Sequence, residues 1–126
     1  RFAWVDIGYI RQKEKSNAPF LRTWPKNFKA AQILMLNATS LVQGENIIGA
    51  GFFAGTQNTI KTFVRSYYAT VNAKAQSMRF IGKEQPLMYE TCETEKNLCM
   101  LIDPERGYGD PWFFMAPLMA GVTTIA

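Results

Sequence analysis

At 126 residues with 48% hydrophobic side chains, the chain is long enough to bury one core, and its lack of histidine removes Ser-His-Asp and Cys-His nucleophile systems and histidine metal sites. The net charge of +4 comes from lysines and arginines scattered along the chain, so it reads as a solvated surface, and no nucleic-acid partner is expected. The uncharged run 112–126 contains Pro117 and is shorter than the roughly 18 to 20 residues of a membrane span, so no transmembrane segment is expected.

The opening run Phe2-Ala3-Trp4-Val5-Asp6-Ile7-Gly8 reads as a strand that meets a lone carboxylate and then a glycine at its end. Residues 9–27, with scattered charges, Pro19 and Trp24-Pro25, read as a long loop. A short apolar run at 32–37 follows, then a polar turn at 43–46, then Ile47-Ile48-Gly49-Ala50-Gly51-Phe52-Phe53-Ala54-Gly55, a strand with a glycine-rich end. From Thr56 the period changes: Ile60, Phe63, Val64, Tyr67, Tyr68, Val71, Ala75 and Met78 recur at intervals of three and four, which predicts a helix with Thr56 as its N-cap. A second helix is expected from Glu84-Gln85-Pro86 to about Glu95, since proline suits a first turn.

Residues 98–102 read as a strand closed by Asp103-Pro104, and the uncharged run 112–126 as a buried strand-turn-strand unit. Cys92 and Cys99, seven apart and without a zinc or redox spacing, are expected to be buried free thiols. This order of elements points to an α/β fold, with helices covering a mixed sheet. The start at Arg1 directly in an apolar strand and the β-prone end 122–126 give the expectation of one partial domain over 1–126, truncated at both ends.

Four places carry chemistry-bearing residues. A carboxylate buried without a partner costs about 1 to 3 kcal/mol or more, so Asp6 at a strand end meets a divalent ion, a ligand or a donor, or else caps the following turn. The junction from Gly49 to Thr56 would offer helix-start amides to an anionic or hydroxyl-rich ligand, or simply allow close packing of Phe52 and Phe53. Glu84 would serve as a general base or metal ligand, or favour the helix dipole alone. Asp110, in Tyr108-Gly109-Asp110-Pro111-Trp112, suits a loop closing over a sugar, or a turn that leads into the core.

Taken in order, the opening strand with Asp6, Trp24-Pro25, the Gly-Ala-Gly-Phe-Phe-Ala-Gly strand, the long helix and Glu84-Gln85 resemble the WlaTC/HtrL (YibB-like) family of glycosyltransferases. The match covers most of this chain and about the carboxyl-terminal half of a typical member. The resemblance implies a GT-A-like mixed sheet flanked by helices and transfer of a sugar from a nucleotide-diphospho-sugar donor to a cell-surface glycan acceptor such as lipopolysaccharide. It implies work in the cytoplasm or at the membrane face. By the same resemblance Asp6 would hold a divalent metal, Mn2+ or Mg2+, and Gly8, Gly51, Phe52, Phe53, Gly55, Thr56 and Gln85 would join it around the donor. Glu84 and Asp110 would be the catalytic carboxylates. Asp6 stands alone, with Trp4 and Gly8 at the positions where GT-A enzymes often carry a second aspartate.

Two other readings remain open. Val5-Asp6-Ile7-Gly8 echoes the first strand of S-adenosylmethionine-dependent methyltransferases, although Tyr9-Ile10-Arg11 does not continue their glycine pattern. A non-catalytic glycan-binding domain on the same fold is the other.

Overall fold

The computed structural model describes residues 2–5, 23–79 and 82–123. Four strands form one mixed sheet: β1 (Phe2–Val5), β2 (Ile33–Asn37), β3 (Ile48–Gly55) and β4 (Cys99–Ile102), in the order β1-β3-β2-β4. β3 runs antiparallel to both β1 and β2, and β4 runs parallel to β2. Three α-helices, α1 (Gln57–Gln76), α2 (Glu84–Thr94) and the short α3 (Met115–Met119), and two 3-10 turns, Thr39–Leu41 and Pro111–Phe113, complete the described elements. The α/β class and the mixed sheet are therefore as the order of elements in the sequence predicts.

Alternation along the strands divides the core in two. Leu34 and Leu36 of β2 face one side with Phe52, Ala54 and Ile102, where Phe28 and helix α3 cover them. Ile33 and Met35 face the other side with Ile48, against Phe63 of α1 and Met88 and Cys92 of α2. Helix α2 leans on α1 through an ion pair of Lys74 with Glu90 at 2.9 Å. The fully buried Thr91 hydroxyl donates to the Leu87 carbonyl at 2.8 Å, so its burial leaves no orphaned polar atom.

The glycine-rich stretch of β3 is where the sheet departs from regularity. Met35 pairs with Phe53, but the next residue, Leu36, pairs with Gly49, so residues 50–52 are passed over in the register with β2. This bulge reverses the facing of the residues before it, which is how Ile48 and Phe53 come to share one layer. Gly49 lies against Leu36: a methyl group there would sit 2.8 Å from Leu36 Cδ2 and 3.2 Å from its Cβ. Leu36 is buried and has little room to retreat. Gly49→Ala is expected to lower stability by about 1 to 3 kcal/mol, read from urea unfolding, as overpacking does elsewhere.

Three expectations are corrected. First, Cys92 and Cys99 are joined in a disulfide rather than free. The turn after α2 returns the chain at once into β4, bringing their Cα atoms to 5.5 Å, inside the range a disulfide bridges. Second, the strand-turn-strand expected over 112–126 is instead a 3-10 turn (Pro111–Phe113) followed by α3, with residues 124–126 outside the described residues. Asp110 accepts a hydrogen bond from the Trp112 N–H at 3.0 Å and Pro111 pre-sets the first turn, so the segment enters as helix.

Third, α1 forms where the period predicts, but of its length only Thr59 and Phe63 are buried. Val64 and Tyr68 are exposed because the helix meets the sheet chiefly through its first turns. Met78 lies beyond the helix altogether, with a positive φ of 57°. There the Arg79 N–H reaches back to the Lys74 carbonyl at 3.0 Å and closes the helix end.

Candidate functional site

β1, β2 and β4 run in one direction, so their carboxyl ends, Val5, Asn37 and Ile102, all point toward the same edge of the sheet. Open α/β sheets bind ligands outside such strand ends. Two features mark this side: the end of β1 beside the β3 bulge, and a groove along β4.

At the first, Val5 pairs with Phe52, so the strand that leads into Asp6 ends level with the bulge that contains Gly51. Asp6 and Gly8 lie outside the described residues. Phe53 is half-buried and stacks on Trp4 of β1, with ring centroids 5.3 Å apart and planes within 11°. Trp4 stays 48% exposed, so this aromatic pair presents a surface beside the strand end. Phe52 points the other way and is 0% exposed, wholly part of the core under α3.

Gly55 and Thr56 lie elsewhere. Gly55 pairs with Phe2 at the start of β1, which places it three residues, or about 10 Å, down the strand from the Val5 pairing. Thr56 acts as the helix cap: its hydroxyl accepts from the Thr59 N–H at 3.1 Å and contacts the Thr59 hydroxyl at 2.8 Å. Thr59 in turn donates to the Ala30 carbonyl at 2.9 Å, pinning the start of α1 to the loop before β2.

Glu84 is exposed as the first residue of α2, and Gln85 beside it is half-buried. The Tyr67 phenol on α1 is held above its ordinary pKa by burial first, then by the negative charge of Glu84 and by Tyr68, so Glu84 looks toward that helix. Asp110 precedes the segment packed on the opposite face of the sheet from α2, so the two carboxylates begin elements on opposite faces. Its carboxylate is engaged in capping Trp112. Asp110→Ala is accordingly expected to cost about 0.5 to 2 kcal/mol in thermal or urea unfolding, with Asp110→Asn recovering most of the loss.

The second feature is a groove of about 540 Å³. It is lined by residues 100–105, most of β4 and the turn after it, by residues 23–27, and by Leu118 and Thr123. Its polar groups are Lys26, Asn27, Asp103, Glu105 and the two threonines, among which the Thr123 hydroxyl donates to Glu105 Oε2 at 3.4 Å. The Thr23 N–H donates to the Met119 carbonyl at 3.1 Å, fastening the 23–27 wall to α3. In the sequence Asp103-Pro104 marks a strand stop, and nothing there gives Asp103 or Glu105 a further role. Carboxylates directly after a strand are the signal the chain offers at this place.

Among the described residues no three His, Cys, Asp or Glu side chains come together to hold a metal ion. The carboxylate expected for that role, Asp6, lies outside them, and the described residues by themselves do not fit a cation site. Among the described residues no helix is long and apolar enough to cross a membrane. No protein-family model, curated protein or solved structure matches the chain.

Proposed function

We propose that the chain is part of a GT-A-type glycosyltransferase akin to the WlaTC/HtrL (YibB-like) proteins, moving a sugar from a nucleotide-diphospho-sugar to a cell-surface glycan at the cytoplasmic side or membrane face. The observation that supports this reading is the pairing of Val5 with Phe52. It sets the strand that leads into Asp6-Ile7-Gly8 beside a glycine bulge, at the kind of irregular strand position where backbones approach ligands.

When a sugar leaves a diphosphate, negative charge grows on the departing phosphate and positive charge on the anomeric carbon. The acceptor hydroxyl must lose its proton as the new glycosidic bond forms. In this reading Glu84, exposed at the start of α2, takes that proton. Backbone N–H groups around Gly51 bind the donor's phosphate oxygens, and the Trp4–Phe53 pair offers an apolar platform to the base or sugar. Phe52 acts from behind, through the core, by fixing the bulge.

The test uses the full-length protein, titrated with a panel of nucleotide sugars in the presence of Mn2+ and, separately, with S-adenosylmethionine. Binding and slow hydrolysis of one nucleotide sugar is the expected result, with Asp6→Asn lowering turnover about a hundredfold or more. Undiminished turnover in Asp6→Asn removes that residue from the mechanism. Binding of the methyl donor alone sinks the glycosyltransferase reading.

A further inference from the structure

We infer that the groove between β4 and residues 23–27 is an acceptor subsite that holds a neutral sugar unit of an oligosaccharide, with Asp103 and Glu105 bonding its hydroxyls beside Trp24. The inference rests on the glycosyltransferase reading and names the acceptor's binding place within it.

Its volume, about 540 Å³, lies within the ordinary range of small-molecule pockets. The lining joins apolar and aromatic surface, Trp24, Met100 and Leu118, to hydroxyl, amide and carboxylate groups. A pyranose has the same division: C–H faces that lie on apolar surface, and equatorial hydroxyls that bond at the rim. Asp103 is exposed at the strand end and Glu105 is half-buried, oriented by the Thr123 hydroxyl. Carboxylates accept strongly from hydroxyls, and Asn27 adds both a donor and an acceptor.

Charge separates this ligand from the donor. The groove carries two carboxylates, Asp103 and Glu105, against one lysine, Lys26. A nucleoside diphosphate would meet net repulsion there, whereas an uncharged sugar would not. Position supports the same assignment. β1 and β4 are the outer strands of the described sheet, three strand spacings apart, or about 14 Å at the usual spacing. An acceptor that sits in the groove and also reaches the end of β1 has to be extended, as an oligosaccharide is and a single sugar is not.

An extended peptide adding to the outer edge of β4 is disfavoured by the strand itself. β4 has four residues and is followed at once by Asp103 and Pro104, a charge and a residue without an N–H, the usual guards of a strand edge.

The test is a printed array of bacterial and eukaryotic glycans probed with the full-length protein without donor. A restricted set of related oligosaccharides should bind, and the isosteric double variant Asp103→Asn, Glu105→Gln should weaken binding at least tenfold with its thermal midpoint unchanged. Trp24→Phe, which keeps the contact with Phe28, should weaken it further. A blank array, binding indifferent to the double variant, or capture of extended peptides in place of glycans overturns the proposal. A blank array alongside Asp6-dependent hydrolysis of a nucleotide sugar removes the subsite and leaves the transferase. Variant-sensitive glycan binding without any donor hydrolysis keeps the subsite and removes the transferase.

Discussion

Phe52→Ala is expected to lower the unfolding free energy by about 3 to 5 kcal/mol, a large part of the roughly 5 to 15 kcal/mol that holds a domain of ordinary stability. Phe52 is 0% exposed and lies between Leu34, Ala54 and the α3 side chains Met115 and Met119. Truncation removes the ring's transfer energy and leaves a cavity that these neighbours, themselves fully packed, cannot close. The consequence extends to function, because Phe52 is the last residue of the bulge and the partner of Val5. Urea titration of the variant beside Phe53→Ala makes the comparison direct. Phe53 is only half-buried, so its loss should cost clearly less stability and act instead on whatever ligand uses the Trp4–Phe53 surface. Equal losses in the two variants would contradict the assignment of Phe52 to the core.

Removing the Cys92–Cys99 bridge by replacing both cysteines with alanine should cost about 2 to 3 kcal/mol, the chain-entropy estimate for so short a loop. The bridge joins the last turn of α2 to the first residue of β4, and Leu98 beside it packs in the same cluster as Met88 and Cys92. Its loss therefore releases α2 from the sheet locally before it weakens the whole fold. Hydrogen exchange should show α2 and β4 amides opening faster in the variant, with β2 and β3 protected as before. Dithiothreitol added to the unaltered protein should reproduce the shift in urea midpoint, and no shift would mean that the bridge is not formed in solution. Because such bonds persist in oxidising surroundings, a protein held in a reducing cytoplasm would be expected to resemble the alanine variant.

Of the residues expected at the donor or in catalysis, the structure gives Phe52 to the core, Thr56 to the cap of α1 and the catalytic candidate Asp110 to the cap of a 3-10 turn. Gly51 lies beside the end of β1, Phe53 stacks on Trp4, and Glu84 is exposed at the start of α2. The alternative structural roles were visible in the chain: a threonine before a helical period and an aspartate before proline are capping signals whatever else they do. What could not be read was which role a given side chain adopts. That depends on which neighbours arrive from distant parts of the chain, such as the Ala30 carbonyl that receives the Thr59 hydroxyl.

The chain alone determined the local elements. The three-four spacing after Thr56, the proline in the first turn of α2 and the short apolar runs at 32–37 and 98–102, each bounded by turn residues, are local signals that survive without tertiary context. Three things were decided only by the tertiary structure. The uniformly apolar run after Pro111 has no period to read, so burial on all sides and the Asp110 cap made it a helix. The cysteines, unremarkable at seven residues apart, were joined because one tight turn folds α2 back onto β4. The groove required residues 23–27 and 100–105 to face each other across more than 70 positions of sequence. Periodicity is a property of neighbours along the chain, whereas a disulfide and a groove are properties of neighbours in space.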